Sequence, residues 1–124
     1  MTIDQLTKRL MALKPHNFTA GEVMEWIANA EGMFYADCVQ THDNPDGLTY
    51  EGYTSETPDS TELLAPSPYD EFYLYYLMAQ VDLHNLEYDK YNNSAALFNA
   101  AKRELWAFWN RTYTPVQRVT HWKM

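Results

Sequence analysis

The stretch "DNPDGLTYEGYTSETPDSTELLAP", residues 43–66, most restricts what this chain can fold into. Helical periodicity runs up to it and resumes after it, but within it Asp, Gly, Pro, Ser and Thr dominate. It reads as a long acidic loop. Loops of this length inside a compact domain are uncommon and are usually functional or mobile. Leu63 and Leu64 offer a way to tack its end to a core, and "DG" ahead of Tyr50 and Tyr53 permits a short hairpin.

Two helices are expected before the loop. "TIDQLTKRLMAL" places Leu6, Leu10 and Leu13 at helical spacing, opens on a Thr2/Gln5 capping box and stops at Pro15. "TAGEVMEWIANAEGMFYADCVQTH" repeats the capping signature at Thr19 and Glu22. Its stripe is Val23, Ile27, Ala30, Phe34 and Cys38, broadened by Met24 and Trp26. Gly32 either weakens this helix by up to about 1 kcal/mol or admits a close helix contact.

Two more helices are expected after the loop. Ser67 reads as an N-cap, Pro68 as the first helical residue, and Asp70 and Glu71 suit the positive dipole end. This helix should reach Leu86 or Tyr88, with Phe72, Tyr76, Ala79 and Leu83 toward the core. "YDKYNNS" then bends or interrupts the chain, since Asn92 and Asn93 are poor helix formers. The last helix, "SAALFNAAKRELWAFWNR", has Leu97, Phe98, Ala101, Leu105, Phe108 and Trp109 as its stripe. The expected architecture is one all-α domain, a small bundle of about four helices. N-terminal helices occupy 1–42, the acidic loop 43–66, a helix pair 67–112, and an extended tail 113–124.

Charge is segregated along the chain. No Lys or Arg lies between Lys14 and Lys90, and that span holds fifteen of the seventeen acids. The formal net charge is −8, which argues against general nucleic-acid binding, because phosphate affinity comes from Lys and Arg. The split is either a solvated acidic face with basic tails or a pair of complementary faces for a head-to-tail assembly. No stretch reads as a membrane span and no apolar leader is expected. Cys38, the single cysteine, excludes an internal disulfide framework and a Cys-rich zinc site, and suits a reducing compartment.

Candidate chemistry is thin. His84 and Glu87 are three apart, but no Glu-x-x-His motif accompanies them, so a solvent-facing or capping histidine is the plainer reading. No G-x-S-x-G and no P-loop occur. Cys38 sits on an apolar stripe, where a buried inert thiol is the default. "DNPDG" offers oxygens for Ca²⁺ without the full loop pattern. No enzymatic activity, metal or cofactor is expected.

The tyrosines are the conspicuous remainder. "YDEFYLYYLMAQ" sets Tyr69, Phe72, Tyr73, Tyr75 and Tyr76 on one short segment. Base stacking is disfavoured because no basic residue lies near them. They are either a crowded core or contact residues, since tyrosine buries area while its hydroxyl keeps a partner.

The segment "YYLMAQVDLHNLEYDKYNNSAALFNAA" (75–101), followed by "NRTY" (110–113), resembles the small head–tail connector (adaptor) proteins of tailed bacteriophages. The resemblance covers roughly residues 67–114, a little over a third of the chain. It implies a non-enzymatic virion protein of the neck, made in the host cytoplasm. Such proteins form a homo-oligomeric ring of roughly a dozen copies in closed cyclic symmetry. The portal protein would lie above the ring and a stopper or tail protein below. DNA would pass through unbound, and no membrane is involved. On this reading Tyr69, Tyr73, Tyr75, Trp106, Arg111, Tyr113, Arg118 and Trp122 would contact a neighbour or partner. Asp43, Asp46, Glu51, Glu56, Asp59 and Glu62 would form an acidic channel or docking loop. An acidic lining repels phosphate and lets a duplex slide. The alternative is a soluble helical adaptor or regulator that binds one protein through the same aromatic face.

Overall fold

The computed structural model describes residues 1–116. Among them are four helices and no strand: α1 (Ile3–Leu13), α2 (Ala20–Phe34), α3 (Glu71–His84) and α4 (Tyr88–Thr112). The expected all-α bundle is the observed one. No helix among the described residues is long and apolar enough to cross a membrane.

Helix α1 starts where the capping box placed it. Thr2 Oγ1 accepts from Gln5 N–H at 3.1 Å, and Gln5 Oε1 accepts from Thr2 N–H at 2.9 Å. Ile3, Leu6 and Leu10 are buried, whereas Leu13, counted on the same stripe, is exposed. Thr19 caps α2 by accepting from Glu22 N–H. Val23, Trp26, Ile27, Ala30 and Phe34 face the core. Past Phe34 the helix continues as a π-helical turn, Tyr35–Val39, closed by Gln40 N–H donating to Tyr35 O at 2.9 Å. That turn buries Cys38 and Val39.

Helix α3 is the axis of the bundle. It packs against α1, α2 and α4, and the π-helical turn touches α4. Its buried residues, Phe72, Tyr73, Leu74, Leu77, Ala79, Val81 and Asp82, surround the whole helix. A helix that is apolar all round is one with neighbours on every side. Phe34, Phe72, Phe98, Trp106 and Trp109 meet where α2, α3 and α4 converge, with ring centroids 5.0–5.9 Å apart.

The boundaries of the second helix pair differ from expectation. Ser67 does not cap α3; residues 67–70 form a turn, and Asp70 is the cap, its carboxylate accepting from Ser67 Oγ. The break between α3 and α4 lies at 85–87 rather than at the asparagines, which stand exposed inside α4. Leu86 N–H donates to Leu83 O and Glu87 N–H to Asp82 O, the two bonds of a Schellman stop. Leu86 occupies the left-handed position, with φ 59°, where glycine is usual. Leu83, expected in the core, is exposed because it sits in this last turn. Tyr76, also expected there, is half-buried beside Phe98.

Buried charge locks the far end of the bundle. Asp82, 2% exposed, takes Lys14 Nζ at 2.9 Å and Ser94 Oγ at 2.7 Å, so the end of α1, α3 and the first half of α4 share one carboxylate.

Leu86 is 69% exposed, so its side chain gives little packing in return for its backbone conformation. A non-glycine residue in the left-handed region costs about 1–2 kcal/mol, and glycine's extra unfolded-state freedom returns about half of that. Leu86→Gly is therefore expected to stabilise the chain by up to about 1 kcal/mol in urea unfolding; destabilisation would show that the Leu86 side chain has a packing role.

Candidate interaction surfaces

The acidic loop is ordered by named contacts. Asn44 closes the "DNPDG" turn on itself: its Oδ1 accepts from Leu48 N–H at 2.9 Å and its Nδ2 donates to Leu48 O at 2.8 Å. Gly47 takes the positive φ that this turn needs. No hairpin follows. Tyr50 and Tyr53 turn onto α2, their rings 4.8 Å apart, and Tyr50 Oη donates to Ala28 O. The close neighbour of Gly32 is the Tyr50 ring, not another helix.

Beyond Tyr53 the loop caps α1. Ile3 N–H donates to Thr61 O at 3.0 Å and Asp4 N–H to Asp59 O at 2.9 Å, which satisfies helix-start donors that have no partner within the helix. Leu63, as expected, is buried and tacks the loop's end to the core.

Glu31 joins these parts. It has no exposed surface. Its Oε1 accepts from Tyr73 Oη, and its Oε2 accepts from Tyr53 Oη at 2.7 Å and from Leu64 N–H at 2.9 Å. Tyr73 Oη in turn accepts from Ala65 N–H at 2.8 Å. Desolvation raises the Glu31 carboxyl above the usual carboxylate range, opposed by the hydrogen bonds from Tyr73, Leu64 and Tyr53. This hub was not anticipated. The one sequence signal for it is that Glu31 follows Ile27 by four, which puts a carboxylate on the buried face of α2.

Tyr73 was expected to face a neighbour and does not. It is 0% exposed, because its ring closes the core and its hydroxyl serves Glu31. The other aromatic candidates among the described residues, Tyr69, Tyr75, Trp106 and Tyr113, are half-buried at the edge of the α3–α4 pair. The Tyr69 ring stacks on Phe108 at 4.4 Å and its hydroxyl accepts from Arg111 Nη2 at 3.0 Å. Beside it, Tyr75, Leu97, Ala100 and Glu104 line a shallow groove. On the other flank Lys102 lies over the half-buried Trp106 ring, 5.3 Å from its centre. Tyr113 packs on Trp109.

The start of the tail pairs with its own chain. Asp43 N–H donates to Thr114 O at 2.9 Å and Val116 N–H to Thr41 O at 2.8 Å. His42, buried beneath this pairing, holds Asn110 Oδ1 through Nε2 at 2.6 Å. Arg118 and Trp122, with His121 and Lys123, lie outside the described residues.

The acidic candidates Asp43, Asp46, Glu51, Glu56, Asp59 and Glu62 are all exposed. They do not converge on the aromatic candidates: Glu51 to Glu62 lie against α1 and α2, while Tyr69, Tyr75, Trp106 and Arg111 lie on α3 and α4. A third feature went unforeseen in the sequence. Ile3, Met11, Phe18, Val23, Met24 and Ile27 line a cleft of about 340 Å³ between α1 and α2.

Residues with chemical potential are otherwise engaged. Burial pushes the Cys38 thiol up to about 12, with the Asp37 carboxylate adding to the rise. His84 is exposed, packs on Trp26 and Phe18, and hydrogen-bonds Gln80 O through Nδ1. Among the described residues no group of three His, Cys, Asp or Glu side chains is placed to hold a metal ion. No protein-family model, curated protein or solved structure matches the chain.

The raised Glu31 carboxyl makes a signed prediction. Its folded value lies above its unfolded one, so between the two the folded chain holds the extra proton. Stability from this group is present at low pH and lost as pH rises from about 4.3 through the raised value. The stability of wild type minus that of Glu31→Gln, from urea titrations between about pH 4 and 8, should therefore fall with pH and then level off. A difference that climbs with pH would mean that the hydrogen bonds outweigh desolvation.

Proposed function

We propose that this chain is a structural virion protein of a tailed bacteriophage, one subunit of a neck ring below the portal that joins head to tail and extends the DNA channel. The observation that carries the reading is the segment 67–114, whose sequence resembles the small head–tail connectors. In the fold this segment is an antiparallel helix pair with Tyr69, Tyr75, Trp106 and Arg111 at its surface. A ring subunit needs lateral contact surface beyond its own core, and surface aromatics beside arginine are the residue types enriched at such contacts. The exposed carboxylates of the loop outside its 51–59 stretch, Asp43 and Asp46, support a conduit role, since they repel phosphate where Lys and Arg would grip it. No catalytic step and no cofactor belong to this role.

A one-to-one protein adaptor is the second reading. The cleft between α1 and α2 favours it, because methionine and phenylalanine walls suit an apolar anchor from a partner.

Light scattering across a concentration series, with negative-stain images of the chain alone and mixed with the phage's portal protein, separates the two. Rings with a central hole, free or capping the portal, are the expected result. A strict monomer that ignores the portal would overturn the ring and leave the adaptor.

A further inference from the structure

The cations of this chain are unequally used. Among the described residues Lys8 pairs with Asp4, Arg9 with Glu71, Lys14 with Asp82 and Lys90 with Glu87, at 2.6–2.9 Å. The remaining three, Lys102, Arg103 and Arg111, have no carboxylate within 4.0 Å among the described residues, and all sit on the second half of α4. Asn99, Lys102, Arg103, Trp106, Ala107 and Asn110 form one stripe along that helix, turned away from the buried Leu105. The loop acids Glu51, Glu56 and Asp59 are exposed and have no cation within 4.0 Å among the described residues, though Asp59 lies within the field of Lys8. The loop from Tyr53 to Leu64 rests on α1 and α2, and among the described residues no hydrogen bond or ion pair joins it to α4. One molecule therefore carries cations on α4 and carboxylates on the loop that no ion pair within the described residues joins.

We infer that the α4 stripe of one copy docks on the 51–59 loop of a second copy, head to tail, with Lys102 and Arg103 meeting Glu51, Glu56 and Asp59. The occupant is a second copy because the complementary charge is the chain's own. Nucleic acid is the weaker fit for the same stripe, since the chain's net charge of −8 opposes phosphate at long range. Trp106, half-buried under Lys102, gives the contact an apolar centre that simple ion pairing would lack. A contact between two different faces leaves each face free at one end, so copies add in sequence and close into a ring where the rotation allows. The inference deepens the ring reading and rests on it for the closed assembly, while the contact itself is measurable without a phage.

Two variants test it by complementation. Lys102→Gln with Arg103→Gln removes the cationic face, and Glu51→Gln with Glu56→Gln removes the acidic one. Sedimentation velocity at about 50 mM salt should show wild type associating beyond a dimer, weakened roughly tenfold or more at about 500 mM salt. Each variant alone should be monomeric. Their equimolar mixture should form a dimer and nothing larger through the one intact pair of faces, which also shows that both variants are folded. A wild type that stays monomeric at low salt, a cationic-face variant that still associates, or a mixture that stays monomeric would each overturn the proposal. DNA-driven association that the Glu51 and Glu56 changes leave untouched would also overturn it. Portal-bound rings indifferent to the Lys102 and Arg103 changes would overturn this contact and leave the ring reading standing. Complementing variants that never engage a portal would support the contact and remove the ring reading.

Discussion

Glu31 has no exposed surface, and donors from α3, from the middle of the loop and from its end converge on its two oxygens. An ionised carboxylate in such a place is costly unless its lone pairs are filled, and a donor that loses it is costly too. Tyr53, Leu64 and Tyr73 must therefore be in place together. Leu64 N–H cannot reach Glu31 unless the chain from Tyr53 returns along α2, and that return path lays the carbonyls of Asp59 and Thr61 on the first turn of α1. One buried group thus couples the loop, the start of α1 and the centre of α3, which is how a long polar segment holds one course over the bundle.

The same arrangement explains the tyrosine-rich segment 69–76. α3 has neighbours around its circumference, so each ring meets a different environment. Tyr73 points toward α2 and donates to Glu31, whereas Tyr76 leans on Phe98 of α4. Tyr69 and Tyr75 fall at the edge of the α3–α4 pair, half-buried, with the Tyr69 ring stacked on Phe108 and its hydroxyl accepting from Arg111. Core and surface are both correct descriptions, divided among residues rather than chosen between. Tyrosine suits the division because its ring buries area while its hydroxyl reaches a partner in either setting.

Local signals were legible in the sequence where a short-range contact decides the structure. The Thr2/Gln5 and Thr19/Glu22 caps depend on residues three apart, and both helices begin where those residues put them. A non-helical stretch between α2 and α3 was legible because nothing periodic could occupy residues 43–66, and in the fold it runs over 40–70. What escaped was set by distant partners. No spacing rule says that Glu31 has donors waiting in the loop, and without that, Tyr73 looks like any other tyrosine beside an apolar stripe. The start of α4 at Tyr88 escaped for a different reason: Leu86 takes a conformation that glycine or asparagine ordinarily marks, so the asparagines at 92 and 93 were the more visible breakers. Once Ser94 reaches Asp82 and Leu105 and Trp109 are buried, helix packing outweighs the weak propensity of that pair.

Charge segregation in a sequence need not survive folding, because a flexible acidic loop can fold back on the nearest cations. Here three constraints prevent it. Glu31 and the first turn of α1 hold the loop on the α1 and α2 side of the bundle. The cations nearest that side, Lys8, Arg9 and Lys14, are engaged with Asp4, Glu71 and Asp82. The cations of α4 are carried on a helix whose buried stripe of Ser94, Leu105 and Trp109 fixes its rotation and keeps Arg103 outward. The separation is then a property of the fold rather than of the composition. Neutralising these two faces requires either counterions or another molecule that presents the opposite charge.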